Sequence, residues 1–124
     1  VFNGGWLGAD PTRDPVLAAY FLFHDCDLAS LQWGLATVRA FVPQLPYRQA
    51  VDLAADIPST YIVCGRDRTI RADWARRKSQ QRLGVQPVEL DAGHCPHVAK
   101  PADVAGILDS PWTNRADSRR SSSD

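Results

Sequence analysis

The sequence predicts an α/β fold on three observations. Residues 59–108 spell strand, helix, strand, helix. The two strand candidates, "STYIVCG" and "VQPVEL", are short, rich in β-branched residues and bounded by Pro58, Gly65 and Gly84. Each is followed by a polar loop, "GRDRTI" after the first and "DAGHCPH" after the second. That alternation is the pattern of parallel strands joined by a crossover helix.

Ahead of it, residues 1–13 are turn-forming, with Asn3-Gly4-Gly5, Gly8 and Asp10-Pro11. "PVLAAYFLFH" reads as a helix from Pro15, in its first turn, to about His24. Asp27 is the expected N-cap of a second helix, with Leu28, Leu31, Leu35, Val38 and Val42 at helical spacing to about Phe41. Only "DCD" joins the two, so a compact helical hairpin is expected, ended by Pro43 and Pro46. "RADWARRKSQQRLG" is a helix with Ala72, Trp74, Ala75 and Leu83 partly on one side and Gly84 as C-cap. "PADVAGIL" is the helix after Pro101, and from Ser110 the polar "SPWTNRADSRRSSSD" reads as a disordered tail. The expected organisation is a helical segment with linker over 1–57, a βαβα unit over 58–109 and a tail over 110–124.

Composition narrows the function. The 124 residues suffice for one domain. Fourteen Lys+Arg balance fourteen Asp+Glu, so no net field draws the chain to nucleic acid or an anionic membrane. No apolar run is long enough to span a bilayer, and no basic-then-apolar start resembles a signal peptide. Three irregularly spaced cysteines argue against a disulfide framework and for a reducing, cytoplasmic setting. The absence of methionine and the start on "VFNGGW", in mid-pattern, are what a piece of a longer protein would have; removal of an initiator before valine explains the first equally.

A βαβ unit brings the C-terminal ends of its strands to one edge of the sheet, about 5 Å apart if they pair. Asp67 lies in the first loop at that edge and His94 in the second, where open α/β sheets build their sites. A carboxylate holding one ring nitrogen fixes the tautomer and leaves the other nitrogen as a general base. Topology therefore makes His94 the base and Asp67 its orienting acid, within hydrogen-bond reach of about 2.6–3.2 Å.

Other residues compete. Asp91 is a rival acid, but it lies so close before His94 that bracing the loop is its expected role. His97 is expected to pack as a structural residue, His24 and Cys26 to sit at the junction of the two helices, and Cys64 to be an inert thiol in mid-strand. Cys95 beside His94 suggests a thiol nucleophile, although neighbours in a loop diverge. Trp33 lines either a pocket or the core. His24, Cys26, His94 and His97 also supply zinc-ligand types, but their spacing does not match the usual pairs, and no metal or cofactor is expected.

"STYIVCGRDRTI" followed by "VELDAGHCPHVAKPADVAGIL" resembles the last two strand–loop units of the α/β-hydrolase fold. Gly65 to Asp67 is similar to that family's acid motif, shortened to G-R-D, and Gly93, His94 and Pro96 to its histidine motif G-H-x-P. "FLFHDCDLASLQWGL" resembles the helical cap of the esterase and hydroxynitrile-lyase-like branch. The resemblance covers residues 1–109 and implies an α/β architecture made of the C-terminal part of that fold, with a cap segment, two parallel strands and terminal helices. It implies hydrolysis of a small ester through a Ser-His-Asp triad, with amide, C–C or cyanohydrin chemistry as other uses of the same groups.

The nucleophile elbow G-x-S-x-G is nowhere in the sequence, and the oxyanion donor that follows the nucleophile goes with it. The expectation is a fragment holding Asp67 and His94, with the serine upstream and the 124 residues alone inactive. A degenerate, non-catalytic binding domain is the alternative, and a zinc module a more distant one. If "TYIVC" has no strand on its far side, its uncharged edge is also expected to promote self-association or aggregation.

Overall fold

The computed structural model describes residues 10–39 and 57–120, and for 111–120 the backbone course alone. The first nine residues of the turn-forming start, the linker around Pro43 and Pro46 and the last residues of the tail lie outside the described residues.

A 3-10 turn (Pro11–Arg13) leads into helix α1 (Pro15–Phe21). Asp14 caps α1, its carboxylate accepting the N–H of Val16 at 2.8 Å and of Leu17 at 3.1 Å, and Pro15 fills the first position, where no donor is needed. The helix stops before His24: Leu22 N–H still makes the helical bond to the Ala18 carbonyl at 2.9 Å, but Phe23 N–H bonds that same carbonyl, at 3.2 Å, in place of the next one along. The connection therefore runs from Leu22 to Asp27, longer than the expected "DCD". Asp27 caps helix α2 (Leu28–Thr37), accepting the N–H of Ser30 at 2.7 Å. This helix too ends early, with Val38 already extended.

Phe21, Leu22 and Phe23 owe their burial to that irregular turn. With Ala18 they form a cluster against which Leu17, Cys26, Leu31, Leu35, Val38, Cys95 and Val98 pack. Leu28, expected on the same stripe, is 70% exposed, and Trp33 is 60% exposed, so neither belongs to this core. The Phe23 ring lies on Gly34, where a Cβ would come within 3.0 Å of the ring.

Strands β1 (Ile62–Cys64) and β2 (Val88–Leu90) pair in parallel, with Ile62 opposite Val88, Val63 opposite Glu89 and Cys64 opposite Leu90. Both are shorter than the apolar runs that announce them. In β2 the reason is Pro87, which has no N–H for the ladder; the first bond comes from Val88 N–H to the Tyr61 carbonyl at 2.8 Å.

Helix α3 (Ala72–Leu83) makes the crossover and ends at Gly84, whose φ of 66° is the left-handed value glycine adopts without strain. Its inward face is Ala75 and Ser79 rather than an all-apolar stripe. Ser79 tolerates complete burial because its hydroxyl donates to the Arg76 carbonyl at 2.8 Å. Arg76 grips Glu89 of β2 through two bonds, 2.7 and 2.9 Å, tying α3 to the strand it feeds.

A short helix α4 (Pro96–Ala99) precedes α5 (Pro101–Arg120). α5 runs past the expected end near Leu108 and continues through Pro111. Pro111 has no N–H for the Ile107 carbonyl, and the Ser110 hydroxyl donates to that carbonyl instead, at 2.9 Å. No described helix is long and apolar enough to cross a membrane.

Gly34→Val drives a branched side chain into the Phe23 ring and should destabilise the chain by about 1–3 kcal/mol, read as a lower urea midpoint at unchanged slope.

Candidate active site

The β1–β2 ladder does not stop at the strand ends. Gly65 N–H donates to the Leu90 carbonyl at 2.9 Å and Arg66 N–H to the Ala92 carbonyl at 3.0 Å. The acid loop and the histidine loop thus leave the sheet still bonded backbone to backbone. Asp67 follows Arg66 directly, and His94 stands two residues after Ala92.

The geometric expectation for these two side chains is met: His94 Nδ1 lies 3.0 Å from Asp67 Oδ2. The other carboxylate oxygen, Oδ1, accepts the N–H of Thr69 at 2.7 Å and of Ile70 at 3.0 Å, a local turn that orients the acid before the histidine arrives. Burial pushes the Asp67 carboxyl up, but hydrogen bonds from His94, Ile70 and Thr69, with the histidine's charge, outweigh it and hold the group below its ordinary 3.8. Asp67 is therefore an ionised acceptor at neutral pH, so Nδ1 carries the proton and Nε2 of a neutral ring has a free lone pair. The Asp67 side chain is 11% exposed and His94 28%, which leaves the base reachable and the acid sheltered.

The competing residues fall into place around this pair. Asp91 is a brace, its Oδ1 2.8 Å from Arg66 Nε while its carbonyl accepts from Arg66 Nη2 at 3.0 Å. His97 is exposed on α4, not packed as expected, because the apolar side of that short helix is taken by Val98 with neighbouring Cys95. Burial, with neighbouring thiol and carboxylate charge, pushes the Cys95 thiol up to about 11. Burial with the Asp67 and Asp25 charges does the same to Cys64, and Cys26 is raised as well. None of these thiols is an activated nucleophile. Among the described residues no serine is bonded to His94; the hydroxyls of Ser59, Ser79 and Ser110 donate to the carbonyls of Ile57, Arg76 and Ile107. Nor do three or more His, Cys, Asp or Glu among them gather as a metal ligand set.

The helical hairpin reaches the site through the end of α1 and the turn after it. Arg68 sits over the Tyr20 ring, 4.5 Å from its centroid, and bonds the Tyr20 carbonyl at 3.5 Å; the Thr69 hydroxyl donates to the Phe21 carbonyl at 3.2 Å. His24 Nε2 lies 3.0 Å from the Arg66 carbonyl, and Asp25 Oδ2 accepts the Gly93 N–H at 2.6 Å. Sequence reasoning passed over Asp25 as a connector. Its signal was that Asp27 already capped α2, which left a second acid in the same turn without local employment. Asp25 Oδ1 is buried and bonded to none of the described residues, a condition that costs about 1–3 kcal/mol.

Because Asp67 titrates lower folded than unfolded, its contribution to stability is present above about pH 4 and is lost as pH falls through the folded value. Urea unfolding over a pH series should show this acid-side loss in the parent and a flatter profile in Asp67→Asn.

The model of the alpha/beta hydrolase family matches residues 2–107. No curated protein matches the sequence. The family match takes in the hairpin, both strands and both site loops, and on it the chain belongs to the alpha/beta hydrolase family.

Proposed function

We propose that the chain is part of a carboxylic-ester hydrolase of the esterase and hydroxynitrile-lyase-like branch, with Asp67 and His94 as acid and base of a Ser-His-Asp triad. The serine is contributed by sequence upstream of this chain. The observation that carries the reading is the 3.0 Å bond between His94 Nδ1 and Asp67 Oδ2 at the end of two paired parallel strands. Family membership supports a hydrolase, and the helical hairpin packed over the site loops supports a cap.

In this reading the upstream serine attacks the ester carbonyl while His94 Nε2 takes its proton. Asp67 stabilises the imidazolium that forms, and His94 passes the proton to the departing alkoxide. A water activated by the same nitrogen then releases the acid. The substrate is a small-molecule ester, and the chemistry requires neither metal nor cofactor. A degenerate domain that binds a ligand without turnover is the second reading, favoured by the missing G-x-S-x-G motif.

The 124-residue chain alone should hydrolyse p-nitrophenyl acetate no faster than free imidazole. The polypeptide encoded when the reading frame is extended upstream of Val1 should give a p-nitrophenol burst that a serine-directed phosphonate abolishes. In that longer protein Asp67→Asn should lower kcat by roughly 10⁴-fold with little change in KM. A phosphonate-sensitive burst from the 124 residues alone, or an upstream frame with no G-x-S-x-G, would refute the proposal. The second refutation, joined to ligand-dependent stabilisation, would favour the binding domain.

A further inference from the structure

The turn between α1 and α2 holds two consecutive side chains, each bonded to the backbone of a different site loop. His24 Nε2 is 3.0 Å from the carbonyl of Arg66, the residue just before Asp67. Since a carbonyl only accepts, Nε2 carries the proton there. Asp25 Oδ2 takes the N–H of Gly93, the residue just before His94, at 2.6 Å. The carboxylate lies so close to Gly93 that a Cβ on that residue would meet Asp25 Oδ1 at 2.5 Å and His24 Nε2 at 2.8 Å. Both side chains thus converge on the point where the two loops meet. One acts as donor and one as acceptor, and each stops one residue short of the dyad.

We propose that His24-Asp25 is a positioning clip: it fixes the separation of the Asp67 and His94 loops, so that the cap, rather than the sheet alone, sets the dyad hydrogen bond. The proposal rests on reading Asp67 and His94 as acid and base. Neither clip residue touches the reacting atoms, and neither is a catalytic residue. Past the last backbone bond, from Arg66 to Ala92, the clip adds to the Arg66–Asp91 brace two bonds that hold the loops at the distance the dyad needs.

The test is proton NMR on the whole 124-residue chain, following the low-field Nδ1–H resonance of His94, with protection of the Val63 amide as the report on the core. Asp25→Ala and His24→Ala should each speed solvent exchange of that proton by about tenfold, the weight of one hydrogen bond, with Val63 protection unchanged. Asp25→Asn keeps a carbonyl oxygen for the Gly93 N–H and should keep the parent's exchange rate within about twofold. A folded alanine variant with the parent's rate, or an asparagine variant as fast as alanine, overturns the clip and leaves the dyad standing. Absence of the low-field resonance in the parent overturns the dyad, and the clip with it. Should one alanine variant lose Val63 protection, the other decides; loss in both makes the dipeptide a general structural element and overturns the inference.

Discussion

Register between β1 and β2 is the constraint on which everything else depends. Cys64 opposite Leu90 sets where the two loops leave the sheet, and the bonds from Gly65 to Leu90 and from Arg66 to Ala92 carry that alignment into the loops. A slip of one residue would reverse which face each side chain takes and would carry Asp67 away from His94. Strands this short cannot hold register alone. The two-pronged grip of Arg76 on Glu89 and the hydrophobic cluster running from α1 to Val98 hold the flanking elements against the pair.

Electrostatics around the dyad are arranged by burial and pairing more than by net charge. Asp67 stays ionised because hydrogen bonds and the histidine's charge outweigh its desolvation, whereas burial and neighbouring charge push the nearby thiols up. The arginines flanking Asp67 do not compete with His94 for its carboxylate. Arg66 is engaged by Asp91 and Arg68 by Tyr20, while His94 bonds the acid directly.

Features whose physics is local were legible in the sequence. Asp27 caps α2 because a carboxylate ahead of a helical run meets free N–H groups, and Gly84 ends α3 because it accepts a positive φ. The dyad was legible for a different reason: parallel pairing follows from the order of elements, and it brings the two loops to one edge whatever their composition. What depended on contacts distant in sequence was hidden. α1 ends in a turn that buries Phe21, Leu22 and Phe23 together, where propensity alone would carry the helix to His24. Ser79 fills an interior position that counts of apolar residues skip, and α5 passes Pro111 through one hydroxyl. Asp25 acts on a backbone amide far along the chain, so nothing beside it in sequence states its purpose.

The last carbonyls of α1 have no partners within their own helix, and those of Tyr20 and Phe21 find them in Arg68 and Thr69. This shared bonding merges two segments that are remote in sequence into one unit of local unfolding. Neither the final turn of α1 nor the acid loop can open to solvent without stripping the other of its partners. A fluctuation that frays the end of α1 is thus the same one that loosens the residues flanking the Asp67 carboxylate, so the hairpin and the acid loop share one stability.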